Sequence, residues 1–167
     1  MRFSSLSTIN NALAIFLIYS FTMSYVALAQ NAPQDWLDAH NKARAEVGVP
    51  PLVWNETLVE YAQKYANSRI EKCEFEHSMG PYGENLAMNY ENMNGVDAVN
   101  FWVTEKADYD YATNTCKKGE MECGHYTQVV ARTSTSVGCA RSKCKNGWMF
   151  VICSYYPPGN FEGQKPY

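Results

Sequence analysis

Six cysteines constrain this chain more than any other feature. They stand at Cys73, Cys116, Cys123, Cys139, Cys144 and Cys153, downstream of an N-terminal stretch built like a secretory leader. Arg2 gives that stretch its positive charge, Ala12 to Ile18 form a short apolar run, and Ala27-Leu28-Ala29 put small residues where a signal peptidase reads. The apolar run is shorter than the ~20 residues a bilayer span needs. Residues 1–29 are therefore predicted to be a cleaved signal peptide, leaving Gln30 first. An even cysteine count in an exported chain reads as disulfides. Cys116-x6-Cys123 and Cys139-x4-Cys144 lack zinc-finger spacing.

Hydrophobic patterning suggests the pairing. Val137–Arg141 and Met149–Tyr155 read as two strands joined at Lys145-Asn146-Gly147, and a hairpin centred on Asn146 sets Cys139 opposite Cys153. Closeness in sequence then suggests Cys116–Cys123, which leaves Cys73–Cys144 as the long closure.

Upstream of the hairpin the pattern is mainly helical. From Ala32 to Val47, residues Trp36, His40, Ala43 and Val47 share one face, and Gly48 with Pro50-Pro51 stops the helix. Asn55 is a good cap for a second helix carrying Leu58, Ala62, Tyr65 and Ala66. Gly83 opens a short strand over Glu84–Tyr90, Val96–Glu105 reads as a third helix, and Gly124–Arg132 as a fourth. Residues from Pro157 onward form an irregular tail. Helices around a few late antiparallel strands imply an α+β domain over residues 30–156, with 157–167 as a separate tail.

The formal net charge is −3, and loss of Arg2 with the leader takes it to −4. Such a chain has no electrostatic reason to bind nucleic acid or an anionic membrane. With no second hydrophobic segment, stable membrane insertion is not expected, and the domain is read as a monomer.

Conventional hydrolytic machinery is missing from the sequence. There is no G-x-S-x-G elbow and no H-E-x-x-H zinc helix, and oxidised cysteines offer no thiol nucleophile. Three histidines occur, His40, His77 and His125. His40 and His125 could share a zinc or copper site with Glu84 and Glu105, or could be satisfied by core hydrogen bonds. Asn55-Glu56-Thr57 is a glycosylation sequon whose Asn55 is also the predicted helix cap. Ala107-Asp108-Tyr109-Asp110-Tyr111 alternates acid and aromatic, either to cover an apolar ligand or to pack on the domain.

Four segments, taken together, resemble the signature motifs of the CAP superfamily, and the plant pathogenesis-related class 1 proteins within it. They are His40-Asn41-Lys42-Ala43-Arg44, Gly83-Glu84-Asn85-Leu86, Gly124-His125-Tyr126-Thr127-Gln128-Val129-Val130 and Cys153-Ser154-Tyr155-Tyr156-Pro157-Pro158-Gly159-Asn160-Phe161. The resemblance implies a three-layer α-β-α sandwich with a small antiparallel sheet, about four helices and three disulfides. It implies a cleft of His40, Glu84, Glu105 and His125, with His40 and His125 able to hold zinc. It also implies a secreted, extracellular (apoplastic) defence protein that binds sterol or a related lipid through Tyr109 and Tyr111, with antimicrobial effect.

A further activity follows from the same resemblance, release of residues 157–167 as a signalling peptide by a processing protease cutting at Tyr156-Pro157; the other reading of these residues is a tail that covers the end of the hairpin and stays attached. The cleft residues themselves leave open a metal-dependent hydrolase with Glu84 or Glu105 as general base beside a His40/His125 metal. One position departs from the family pattern: Ala131 stands where a tryptophan is usual, which puts the packing beside His125 in question.

Overall fold

The computed structural model describes residues 31–119 and 122–167. The predicted leader and its cut site lie outside the described residues. In chain order the elements are α1 (Pro33–Glu46), β1 (Val53–Trp54), α2 (Glu56–Ser68), β2 (Gly83–Asn89), α3 (Gly95–Thr104), a 3-10 turn (Glu105–Asp108), β3 (Tyr109–Asp110), β4 (Thr115–Cys116), α4 (Gly124–Val129), β5 (Ser136–Lys143) and β6 (Met149–Tyr156).

Local chemistry explains the helix starts. Pro33 sits in the first turn of α1, where its missing N–H costs nothing. Asn55 Oδ1 accepts from the Thr57 and Leu58 amides and caps α2. Asn94 caps α3 in a reciprocal box with Asp97. α4 ends at Val129 rather than at Arg132, because the guanidinium of Arg44 takes the carbonyls of Val129 and Ala131 that a continuing helix would use.

The main sheet runs β1-β5-β6-β2, and β3 with β4 forms a second, two-stranded sheet. β6 is central and antiparallel to both neighbours, with Cys139 directly opposite Cys153. β1 departs from the antiparallel expectation, since Val53 and Trp54 pair in parallel with Ser136 and Val137. Two residues are too few to show any alternation. The strand is placed instead by Asn41, whose side chain holds both the N–H and the C=O of Leu52.

Alternation along β6 divides the core. Met149, Val151, Cys153 and Tyr155 face a cluster with Trp36, Ala43, Val99, Trp102, Tyr126 and Val129 from α1, α3 and α4. Phe150 and Ile152 face the opposite way, onto Leu86, Ala140 and α2's Ala62 and Ala66. This is the three-layer sandwich, and a central strand covered on both sides reads as a continuous apolar run. Disulfides join Cys73 to Cys144, Cys116 to Cys123 and Cys139 to Cys153. Among the described residues no helix is long and apolar enough to cross a membrane.

Candidate functional site

His40 is not a cleft residue. It is fully buried on α1, where Nδ1 donates to the Trp36 carbonyl across 2.7 Å and Nε2 lies 2.8 Å from Tyr155 Oη. A carbonyl can only accept, so the proton sits on Nδ1 and Nε2 accepts from the tyrosine hydroxyl. Asn85 Nδ2 donates to that same hydroxyl (3.1 Å) and to the His125 carbonyl (3.0 Å). Burial pulls the imidazole pKa down from 6.5 to about 4, so the ring is neutral near pH 7. With both nitrogens committed, His40 cannot serve as a metal ligand, and the predicted His40/His125 zinc pair is corrected.

The structure pairs Glu84 with His77 instead. His77 Nδ1 lies 2.6 Å from Glu84 Oε1, which also accepts from the Ser78 amide. Burial pushes the Glu84 carboxyl up, but these hydrogen bonds outweigh it and hold its pKa below the ordinary 4.5. His77 is raised above 6.5, chiefly by its bond to Glu84. The sequence carried this signal, since His77 and Ser78 stand only seven and six positions before Glu84.

The second pair is His125 with Glu105. Glu105 Oε1 takes His125 Nδ1 at 2.7 Å, while Oε2 accepts from the His125 and Tyr126 amides that open α4. The carboxylate thus orients the imidazole and satisfies helix donors that would otherwise be orphaned. The Trp102 ring stacks near His125, at a 6.2 Å centroid distance and 21°, and its Nε1 donates to the Leu86 carbonyl.

The predicted four-residue cluster is therefore resolved into two His–Glu pairs. Each of His77 and His125 has Nδ1 held by a carboxylate, the arrangement that usually supports a metal-ligating histidine. No third His, Cys, Asp or Glu ligand atom among the described residues joins either pair within 4.8 Å. Among the described residues, the one group of three or more His, Cys, Asp or Glu with ligand atoms within 4.8 Å is His40, Cys139 and Cys153, whose sulfurs are tied in a disulfide.

Arg44 is the residue of the first motif that sequence reasoning missed. It is fully buried and donates to four carbonyls, those of Pro50, Val129, Ala131 and Ser134. Burial lowers its pKa to about 10, which leaves it charged at neutral pH. Arg44 fixes the C-terminal end of α4, and so holds the helix that carries His125.

The tyrosines of the 107–111 segment do pack on the domain, and their partner is the tail. Tyr109 is buried, donates to Asn114 Oδ1 and contacts Tyr111, Tyr126 and Tyr167. Burial raises its pKa to about 12. Tyr111 is 44 % exposed and stacks on Tyr167, with centroids 4.8 Å apart and planes at 14°. Beside them a cavity of about 300 Å³ lies between α4, the Cys116–Cys123 bridge and residues 159–166.

The Tyr156-Pro157 bond, predicted to be open to cutting, is braced. The Tyr156 carbonyl accepts from the Thr135 amide, and the Pro157 carbonyl from Ser134 Oγ. The Gly159 amide donates to the buried Gln128, and Asn160 bonds both Thr127 and the Gly124 carbonyl. The tail packs closely on Ala131, since a Cβ built on Gly159 would lie 2.5 Å from that of Ala131. At the sequon, Asn55 Oδ1 is engaged in capping α2.

Comparison with known proteins agrees with this architecture. Residues 37–155 match the cysteine-rich secretory protein family, CAP. The chain is 55 % identical to the basic form of pathogenesis-related protein 1 of Nicotiana tabacum over 139 residues, which cover 83 % of this chain and 77 % of that one. It is 52 % identical to pathogenesis-related protein 1 of Arabidopsis thaliana, covering 83 % and 84 %. Among solved structures it resembles Schistosoma mansoni venom allergen-like protein 4, with 26 % identity, a TM-score of 0.62 and coverage of 81 % and 92 %. The chain belongs to the CAP family, and within it to the plant pathogenesis-related class 1 proteins.

Proposed function

We propose that this chain is a secreted defence protein of the extracellular space that acts by holding a sterol or a related lipid against the Tyr109–Tyr111 segment. The observation that carries this reading is the tyrosine cluster of Tyr109, Tyr111, Tyr126 and Tyr167, of which Tyr109 lines the 300 Å³ cavity. Flat apolar ligands are held by aromatic faces with a few polar fixings at the edge. Tyr111 supplies such a face, and Asn114, Thr127 and Asn160 supply polar groups around the cavity. Withdrawal of sterol would harm microbes that cannot make their own.

The hydrolase reading is weaker. Both ring nitrogens of His40 are hydrogen-bonded in the core, and among the described residues no third His, Cys, Asp or Glu joins either His–Glu pair within 4.8 Å. The hydrogen bonds of the tail favour a segment that stays on the folded domain over one that is cut at Tyr156-Pro157.

Equilibrium binding of radiolabelled cholesterol to Tyr111→Ala tests the assignment. Binding should fall severalfold, while Tyr90→Ala, at a tyrosine 66 % exposed elsewhere on the surface, should leave it unchanged. Wild-type binding by Tyr111→Ala removes the segment from the site.

A further inference from the structure

The tail is tied down at two ends, and between them, among the described residues, it is held by a single bond from Asn114 Nδ2 to the Gln164 carbonyl besides its own turn. At its start, Pro157, Gly159 and Asn160 are bonded to Ser134, Gln128 and Thr127. At its finish, Pro166 is buried and its carbonyl accepts from the Arg132 amide at 2.6 Å. Residues 161–165 between these anchors are exposed and form one wall of the cavity. Beyond Pro166, Tyr167 lies flat on Tyr111, and the ammonium of Lys165 sits 4.1 Å from the same ring.

We propose that residues 157–167 form a strap over the lipid-binding face, with Tyr167 as its latch, so that lipid on Tyr111 and closure of the strap compete. The inference rests on the lipid reading given above. Tyr167 covers one face of the Tyr111 ring and Lys165 also lies over that ring, so a flat lipid stacking on Tyr111 there has to displace the tail. A stacked aromatic pair shifts an equilibrium by roughly twofold to tenfold. A bound ligand of modest affinity can overcome such a latch. Coupling of this kind is reciprocal: whatever lipid binding does to strap opening, strap opening does to lipid binding. The strap then guards the apolar face until ligand arrives, while its start stays anchored at Ser134 and Gln128.

Two variants separate the latch from the binding face. Hydrogen exchange of residues 157–167 without lipid should be faster than wild type in both Tyr167→Ala and Tyr111→Ala. Their cholesterol affinities should move in opposite directions, roughly twofold to tenfold tighter for Tyr167→Ala and weaker for Tyr111→Ala. Tyr167→Phe keeps the stack and gives up only the long 3.5 Å bond from Tyr126 Oη, so it should stay close to wild type in both measurements. Saturating cholesterol should speed tail exchange in the wild-type protein. If wild type binds cholesterol and Tyr167→Ala binds it equally, the strap is not a gate, although the lipid reading survives. If none of these proteins binds cholesterol, the lipid reading falls and the gate with it.

Discussion

Tyr155 Oη donates to His40 Nε2 across 2.8 Å, joining the central strand of the sheet to the first helix. The bond belongs to a directed series in which Asn85 donates to Tyr155, Tyr155 to His40, and His40 to the Trp36 carbonyl. Every member is buried, so protonating His40 would remove the acceptor that Tyr155 needs. His40 acts here as a structural hydrogen-bonding node.

Stability should accordingly fall on acidification. The pKa of His40 is depressed to about 4 in the fold, against 6.5 when unperturbed. Between those values the unfolded chain binds a proton that the native one does not, so stability rises with pH across the window. Going from pH 6.5 to pH 4 removes roughly 3 kcal/mol through this residue. Urea unfolding at pH 7 and pH 4 should show a smaller loss in His40→Gln than in wild type. Equal losses in the two proteins would show that His40 does not set the slope.

Arg44→Ala should destabilise the fold by about 3 kcal/mol or more, because four carbonyls lose their donor in places water cannot easily reach. Thermal unfolding measures the loss, and hydrogen exchange should place part of it at the C-terminal end of α4. A change below 1 kcal/mol would mean that the carbonyls find other partners.

His77 and Glu84 should titrate as a pair. His77 is raised, so its contribution is full below pH 6.5 and is lost as pH climbs through the raised value. Glu84 is depressed, so its contribution is present above pH 4.5 and is lost as pH falls through the lowered value. The pair is therefore strongest between pH 4.5 and 6.5. NMR titration of the His77 ring should give a midpoint above 6.5 that drops toward 6.5 in Glu84→Gln. An unchanged midpoint in that variant would contradict the pairing.

Much of the fold was legible in the sequence because its signals are local. Asn55 capped the helix it was expected to cap, and the hairpin centred on Asn146 set Cys139 against Cys153. β1 was invisible because two residues cannot show a period, and its placement depends on Asn41, eleven positions before the Leu52 it holds. The site was harder. The position of His40 on the apolar stripe of α1 already pointed into the core, while motif order pointed to the cleft; burial decided between them. Arg44 was missed because a charged side chain reads as surface until a distant partner such as Ala131 comes into contact with it. For the tail, a cut end and one lying on the domain were both open in the sequence, because its contacts with Gln128 and Tyr111 are too distant to read there.

The proposed capture of sterol is tested most directly by an equilibrium cholesterol titration of the oxidised protein lacking residues 1–29. Run with and without a chelator, the titration should show saturable binding that the chelator leaves intact, because the tyrosine face uses no metal ligand. Absence of saturable binding in both conditions would contradict the account.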